Sequence, residues 1–97
     1  MTDLCNQIEK FGKGLGSTSR YRIIEALFTG PKTVSQLVKT VRQSQPAVSQ
    51  HLKMLKGCNL VTDLRQGQEV LYSLNTKHIL TLLKSLASEV TRKERSK

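Results

Sequence analysis

The stretch Ser44–Leu60, SQPAVSQHLKMLKGCNL, runs directly into Val61–Leu74, VTDLRQGQEVLYSL. Together they read as a capped amphipathic helix over Ser44–Lys56, then two short strands joined by a tight polar turn. Ser44 supplies an N-cap hydroxyl, and Pro46 suits the first turn, where its missing N–H leaves no bond unmade. Val48, Leu52 and Leu55 recur at i, i+4 and i+7 and form one narrow apolar stripe. On the opposite arc lie Pro46, Ser49, Gln50 and Lys53, with Gln45 and Ala47 on the exposed first turn. Glutamine can pair bidentately with adenine, serine with several bases, and a small apolar side chain can touch a thymine methyl. Lys53 and Lys56 are expected nearer phosphate. This is the layout of a helix that enters a DNA major groove beside a hairpin wing. The plain alternative is a surface helix with a solvated Gln/Ser/Lys face, and the charge of the chain weighs against it.

The chain holds 16 Lys+Arg against 7 Asp+Glu, a net charge of +9. No acidic residue occurs between Glu25 and Asp63, an interval that contains Lys32, Lys39, Arg42, Lys53 and Lys56, with Arg65 just beyond. A segment that excludes carboxylates over this length is shaped for a polyanion. A membrane surface is the competing polyanion. It would call for one long amphipathic helix with aromatic anchors, whereas these cations are interleaved with helix-turn-helix signals.

Ninety-seven residues make one domain, taken as 1–97. Hydrophobic content is 37% and aromatic content 4%, a lean core that invites oligomerisation as a source of further burial. Met1–Lys10 contains Asp3 and Glu9 and no apolar run, so no signal peptide is expected, and no apolar stretch is long enough for a transmembrane span. Cys5 and Cys58 lie far apart and do not make a disulfide framework. A cytoplasmic protein with reduced thiols is expected.

Five helices and a hairpin follow from the pattern. Leu4, Ile8, Phe11 and Leu15 give a first helix with a coiled-coil-like stripe, weakened and closed by Gly12, Gly14 and Gly16. Ser17 or Thr18 caps a second helix with Ile23, Leu27 and Phe28 inward, stopped by Gly30-Pro31. Thr33 with Gln36 forms a capping box that opens a short helix carrying Val34, Leu37, Val38 and Val41. After Arg42–Gln43 comes the Ser44–Lys56 helix, which completes a helix-turn-helix. Leu60–Leu64 and Val70–Leu74 are the strands, with Gln66-Gly67 as the turn and Arg65 and Gln68 projecting from the tip. The last helix begins near Asn75 or Thr76 and is lined by Ile79, Leu82, Leu83, Leu86 and Val90. That is more apolar surface than one small core needs, so both terminal helices are expected in a dimer interface. Arg92–Lys97 reads as a basic, frayed tail, with residues 91–97 as the frayed end of the single domain.

From Ser19 to Leu86 the chain resembles the ArsR/SmtB family of winged-helix bacterial repressors, through SRYRIIEALF, SQPAVSQHLKMLKGCNLV and RQGQEVLYSL in that order. The resemblance implies a mainly α winged helix-turn-helix with a small hairpin. It also implies a homodimer joined through the first and last helices, and repression by binding an inverted repeat of double-stranded DNA. On matching positions it implies Ser44, Gln45, Ala47, Ser49, Gln50 and Lys53 as recognition-helix contacts and Arg65 as a wing contact.

The family's familiar metal sites do not carry over. One uses cysteines in the helix before the recognition helix, and Thr33–Val41 has none. The other aligns with Thr76, His78, Glu89 and Arg92, of which Thr and Arg are not useful zinc ligands. No metal and no cofactor are therefore expected, and His78 reads as a first-turn surface or interface histidine. The remaining sensor candidates are Cys58, where the chain turns toward the wing, and Cys5, off the stripe of the first helix. A thiol switch there is set against the ordinary behaviour of free cysteine as a small buried hydrophobe. Two histidines, no glycine-rich phosphate loop, no paired carboxylates and no C-x-x-C leave catalysis without support. The rival function is a non-specific architectural or RNA-binding protein that uses the same basic field without base readout.

Overall fold

Capping side chains set the helix boundaries. In a computed structural model describing residues 2–95, the order is α1 (Thr2–Leu15), α2 (Thr18–Ala26), a 3-10 turn (Leu27–Thr29), β1 (Lys32–Thr33), α3 (Val34–Val41), α4 (Gln45–Gly57), β2 (Val61–Gln66), β3 (Glu69–Leu74) and α5 (Thr76–Arg95). The Ser17 hydroxyl accepts the Arg20 N–H at 3.4 Å, and that of Ser44 accepts the Ala47 N–H at 3.3 Å. Thr33 and Gln36 form the full reciprocal box, with Gln36 N–H to Thr33 Oγ1 at 3.2 Å and Thr33 N–H to Gln36 Oε1 at 2.9 Å. Asn75 Oδ1 accepts the His78 N–H at 3.3 Å and so caps α5. Each such cap satisfies an otherwise orphaned donor, worth about 1 kcal/mol.

The core lies where α2, α3 and α4 meet the sheet. Ile23, Ile24 and Leu27 face Leu37 and Val41 of α3, Val48, Leu52 and Leu55 of α4, and Leu60 and Val61 at the entry to β2. Phe11 and Leu15 pack on this core from α1 and Ile79 from α5. The glycines of α1 do not all close it: the helix runs through Gly12 and Gly14, and only Gly16 lies beyond its end. Gly14 is needed for close approach, because a Cβ there would meet the buried Leu60 Cδ1 at 2.2 Å. The end of α1 is also held by Arg20, whose Nε and Nη2 donate to the carbonyls of Gly14 and Lys13 at 3.2 and 2.7 Å.

Phe28 does not point inward as the periodicity predicts; it is 61% exposed. The tighter 3-10 turn after Ala26 breaks the 3.6-residue phase, so Leu27 stays in the core while its neighbour rotates out. The hairpin is part of a three-stranded antiparallel sheet of order β1-β3-β2. The added strand pairs Lys32 with Tyr72 and Thr33 with Leu71. Gln66 faces Glu69, which places the turn on Gly67-Gln68 rather than Gln66-Gly67, and Gly67 takes the positive φ of 62°. Helix α5 continues into the segment read as a tail, as far as Arg95, while Ser96 and Lys97 lie outside the described residues.

Candidate nucleic-acid interface

Helix α4 has two unlike sides. Val48, Leu52 and Leu55 are buried, whereas Ser44, Gln45, Ser49, Gln50 and Lys53 are exposed and Ala47 is half-buried. The buried stripe fixes the rotation of the helix, so the amide, hydroxyl and ammonium groups are presented outward together. The Ser44 hydroxyl already accepts the Ala47 N–H, which leaves its own O–H to donate. His51 is half-buried beside the stripe.

The turn before α4 is held from both sides. Arg42 closes α3 in the left-handed region, at φ 58° and ψ 44°, with its N–H on Val38 O at 2.9 Å. The Gln43 amide nitrogen donates to the Ser19 hydroxyl of α2. At the other end, the Leu60 N–H bonds Leu55 O at 2.9 Å and the Asn59 N–H bonds Lys56 O at 3.0 Å. With Asn59 at φ 61°, this is a Schellman closure sealed by the buried Leu55 and Leu60. It sends the chain straight from α4 into the wing.

Arg65 is exposed on β2, opposite Val70, close to the hairpin tip. Lys56, expected near phosphate from its sequence position, has a partner within the chain. Its ammonium donates to Asp63 Oδ2 at 2.9 Å and ties the last turn of α4 to β2. That hydrogen bond first, and the carboxylate charge second, raise the pKa of Lys56 above its ordinary value. Asp63 as an ion-pair partner is a role that sequence reading missed, since nothing local relates residues on two different elements. A second missed feature is an open cleft of about 680 Å³ that gathers Arg22, Lys32 and Arg42 from α2, β1 and α3, with the Glu25 carboxylate among them.

The sensor candidates are dispersed. Thr76 and His78 sit in the first turn of α5. Glu89 lies about three turns further on, roughly 16 Å at 1.5 Å per residue, and is paired with Arg92 at 2.6 Å. Among the described residues no three His, Cys, Asp or Glu side chains converge. Cys58 is the C-cap of α4, half-buried and packed against the core. The side chain of Cys5 lies outside the described residues. No described helix is long and apolar enough to cross a membrane.

Comparison with known proteins places this architecture. The model of a bacterial regulatory protein, arsR family, matches residues 17–63, from the cap of α2 into the wing. The transcriptional repressor SdpR of Bacillus subtilis is 34% identical over 64 residues, covering 66% of this chain and 71% of that protein. The chain belongs to the arsR family. Another relative, the HTH-type transcriptional repressor SmtB of Mycobacterium tuberculosis, is 40% identical over 67 residues, 69% of this chain. The chain spans about half the length of that relative, 50%. The winged helix-turn-helix fold of the family is shared with the homodimeric DNA-binding domain of Mb0332 from Mycobacterium bovis, at a TM-score of 0.75 and 23% identity over 95% of this chain and 88% of that one. The family is regulatory rather than enzymatic.

Proposed function

We propose that the chain is a homodimeric, sequence-specific DNA-binding transcriptional repressor that reads an inverted repeat and works without the family's usual metal sites. The observation that carries this is the division of α4. Three fully buried residues hold the helix against the core, and Ser44, Gln45, Ala47, Ser49, Gln50 and Lys53 are left to meet base edges and backbone. Arg65 on the adjoining wing meets phosphate or the minor groove. Dimerisation is supported by the exposed apolar row Leu80, Leu83, Leu86 and Val90 on α5, and by the homodimeric state of the Mb0332 domain. Two copies joined through α1 and α5 present two α4 helices, which suits half-sites about one DNA turn apart. The names of the relatives SmtB and SdpR support repression. Thr76 and Arg92 at the metal-site positions, and Glu89 engaged with Arg92, support regulation by something other than a metal.

The test is an anisotropy titration with duplex from immediately upstream of the reading frame, competed by scrambled duplex at about 0.15 M salt. A preference of roughly three or more orders of magnitude for one short inverted repeat is expected. Binding that the scrambled duplex erases, repeated across a library of genomic fragments, would favour an architectural protein instead.

A further inference from the structure

We infer that Asp63 sets how strongly this surface grips DNA of any sequence, by holding the Lys56 ammonium away from phosphate. The inference rests on the DNA-binding reading above. Lys56 lies in the last turn of α4, one turn beyond Lys53, and both side chains are exposed. Lys53 has no ion-pair partner among the described residues, whereas Lys56 donates to Asp63 at 2.9 Å. Of the two ammonium groups at this end of the helix, one is therefore neutralised from within the protein.

The carboxylate that does this stands alone in its region. Asp63 is the only acidic residue between Glu25 and Glu69. It sits on the wing, two residues from Arg65 and so on the same face of β2, where a negative charge opposes a polyanion. Fold stability does not account for it, because an ion pair whose side chains are 55% and 32% exposed is screened and contributes little. Its effect on DNA is another matter. Random-sequence binding is driven almost wholly by phosphate contacts that release counterions, and each neutralised phosphate steepens the dependence of log K on log salt by about 0.9. A lysine already matched by a carboxylate adds no such contact. Lysine suits this role, since its compact ammonium on a flexible stem swings to phosphate once released.

The test uses one random-sequence duplex, with affinity followed from about 0.05 to 0.2 M salt. The proteins are the full chain and the variants Asp63→Asn, Lys56→Gln and the double variant, with Asp63→Ser as a second neutral replacement. Asp63→Asn is expected to bind roughly 3- to 10-fold tighter at the lowest salt, with a slope steeper by about 0.9. Lys56→Gln should keep the wild-type slope, with affinity lowered only by the carboxylate it leaves unpaired, and Asp63→Asn should not steepen the slope in the Lys56→Gln background. The idea is overturned if both Asp63 variants keep the wild-type slope, if they steepen the slope as much without Lys56, or if Lys56→Gln alone flattens the slope. The second of these outcomes would mean plain repulsion by the carboxylate, and the third that Lys56 already sits on phosphate. Failure of the wild type to bind any duplex would sink the DNA-binding reading itself, and this inference with it.

Discussion

Two apolar stripes, on α4 and on α5, look alike in sequence and meet opposite fates. Val48, Leu52 and Leu55 are 0%, 1% and 0% exposed, whereas Leu83, Leu86 and Val90 are 45%, 42% and 54% exposed. Both rows sit at helical spacing and both mark amphipathic helices. The difference is what surrounds them. Helix α4 is enclosed by α2, α3 and the root of the wing, while α5 passes along α1 and projects beyond the core. The extents of 53 × 25 × 22 Å and the radius of gyration of 15.3 Å reflect that projection. A compact chain of this length would have a radius of roughly 12.5 Å. Periodicity thus reports that a face must be covered and leaves open whether the cover comes from the same chain.

The comparison breaks most visibly at Leu52. Leu52→Ala should cost about 2–5 kcal/mol, seen as a lower denaturant midpoint at unchanged m, because the removed atoms leave a cavity between elements that cannot collapse. A loss below about 1 kcal/mol would mean that α4 is not held as described. The α5 stripe should respond in another currency. Leu83→Asp is expected to leave the protomer folded by circular dichroism and to weaken dimerisation by roughly 100-fold or more in sedimentation equilibrium, since the charge enters the interface from both copies. An unchanged association constant would mean that this face is not the dimer contact.

The outward side of α4 tests the same division from the other direction. Gln50→Ala should relax preference at one base pair by about 1–3 kcal/mol without changing the melting temperature, while Arg65→Ala should weaken all duplexes alike and flatten the salt slope by about 0.9. Equal losses on specific and random DNA for Gln50→Ala would count against base reading. The smallest effect is expected where α4 turns into the wing. Asn59→Gly should change stability by no more than about 1 kcal/mol, in the stabilising direction, because glycine adopts the left-handed conformation more readily. A marked loss in thermal denaturation would show that the asparagine side chain has a role beyond its backbone.

What was legible in the sequence is what local physics decides. Ser44, and Thr33 with Gln36, announce helix starts because the bonds they make close within three residues. The α4 face is legible for the same reason: once Val48, Leu52 and Leu55 are taken as inward, Gln50 and Lys53 must be outward. The two-residue β1 was not legible, since Lys32–Thr33 has no alternation and becomes a strand only by pairing with Leu71 and Tyr72. The exposure of Phe28 was hidden because a 3-10 turn shifts phase by a fraction of a residue that composition does not mark. The hairpin turn moved by one residue and the strand pairing by two, so that Arg65 faces Val70 and not Gln68; Gly67 can serve at either place of a two-residue turn, and cross-strand pairing selects the first.

Beyond the family, which rests on a resemblance of motifs, the sequence by itself determined the order of the five helices and the hairpin, the basic field and the face of α4 that meets solvent. These follow from capping bonds, helical periodicity and charge, all of which act over a few residues or over the whole chain at once. Tertiary structure alone decided that Lys56 is paired with Asp63, that Arg22, Lys32 and Arg42 share one cleft, and that on α5 Leu82 is buried while Leu83, Leu86 and Val90 are left exposed. Each of those depends on distances between separate elements, which are set by how the buried side chains pack and by no residue's local preference.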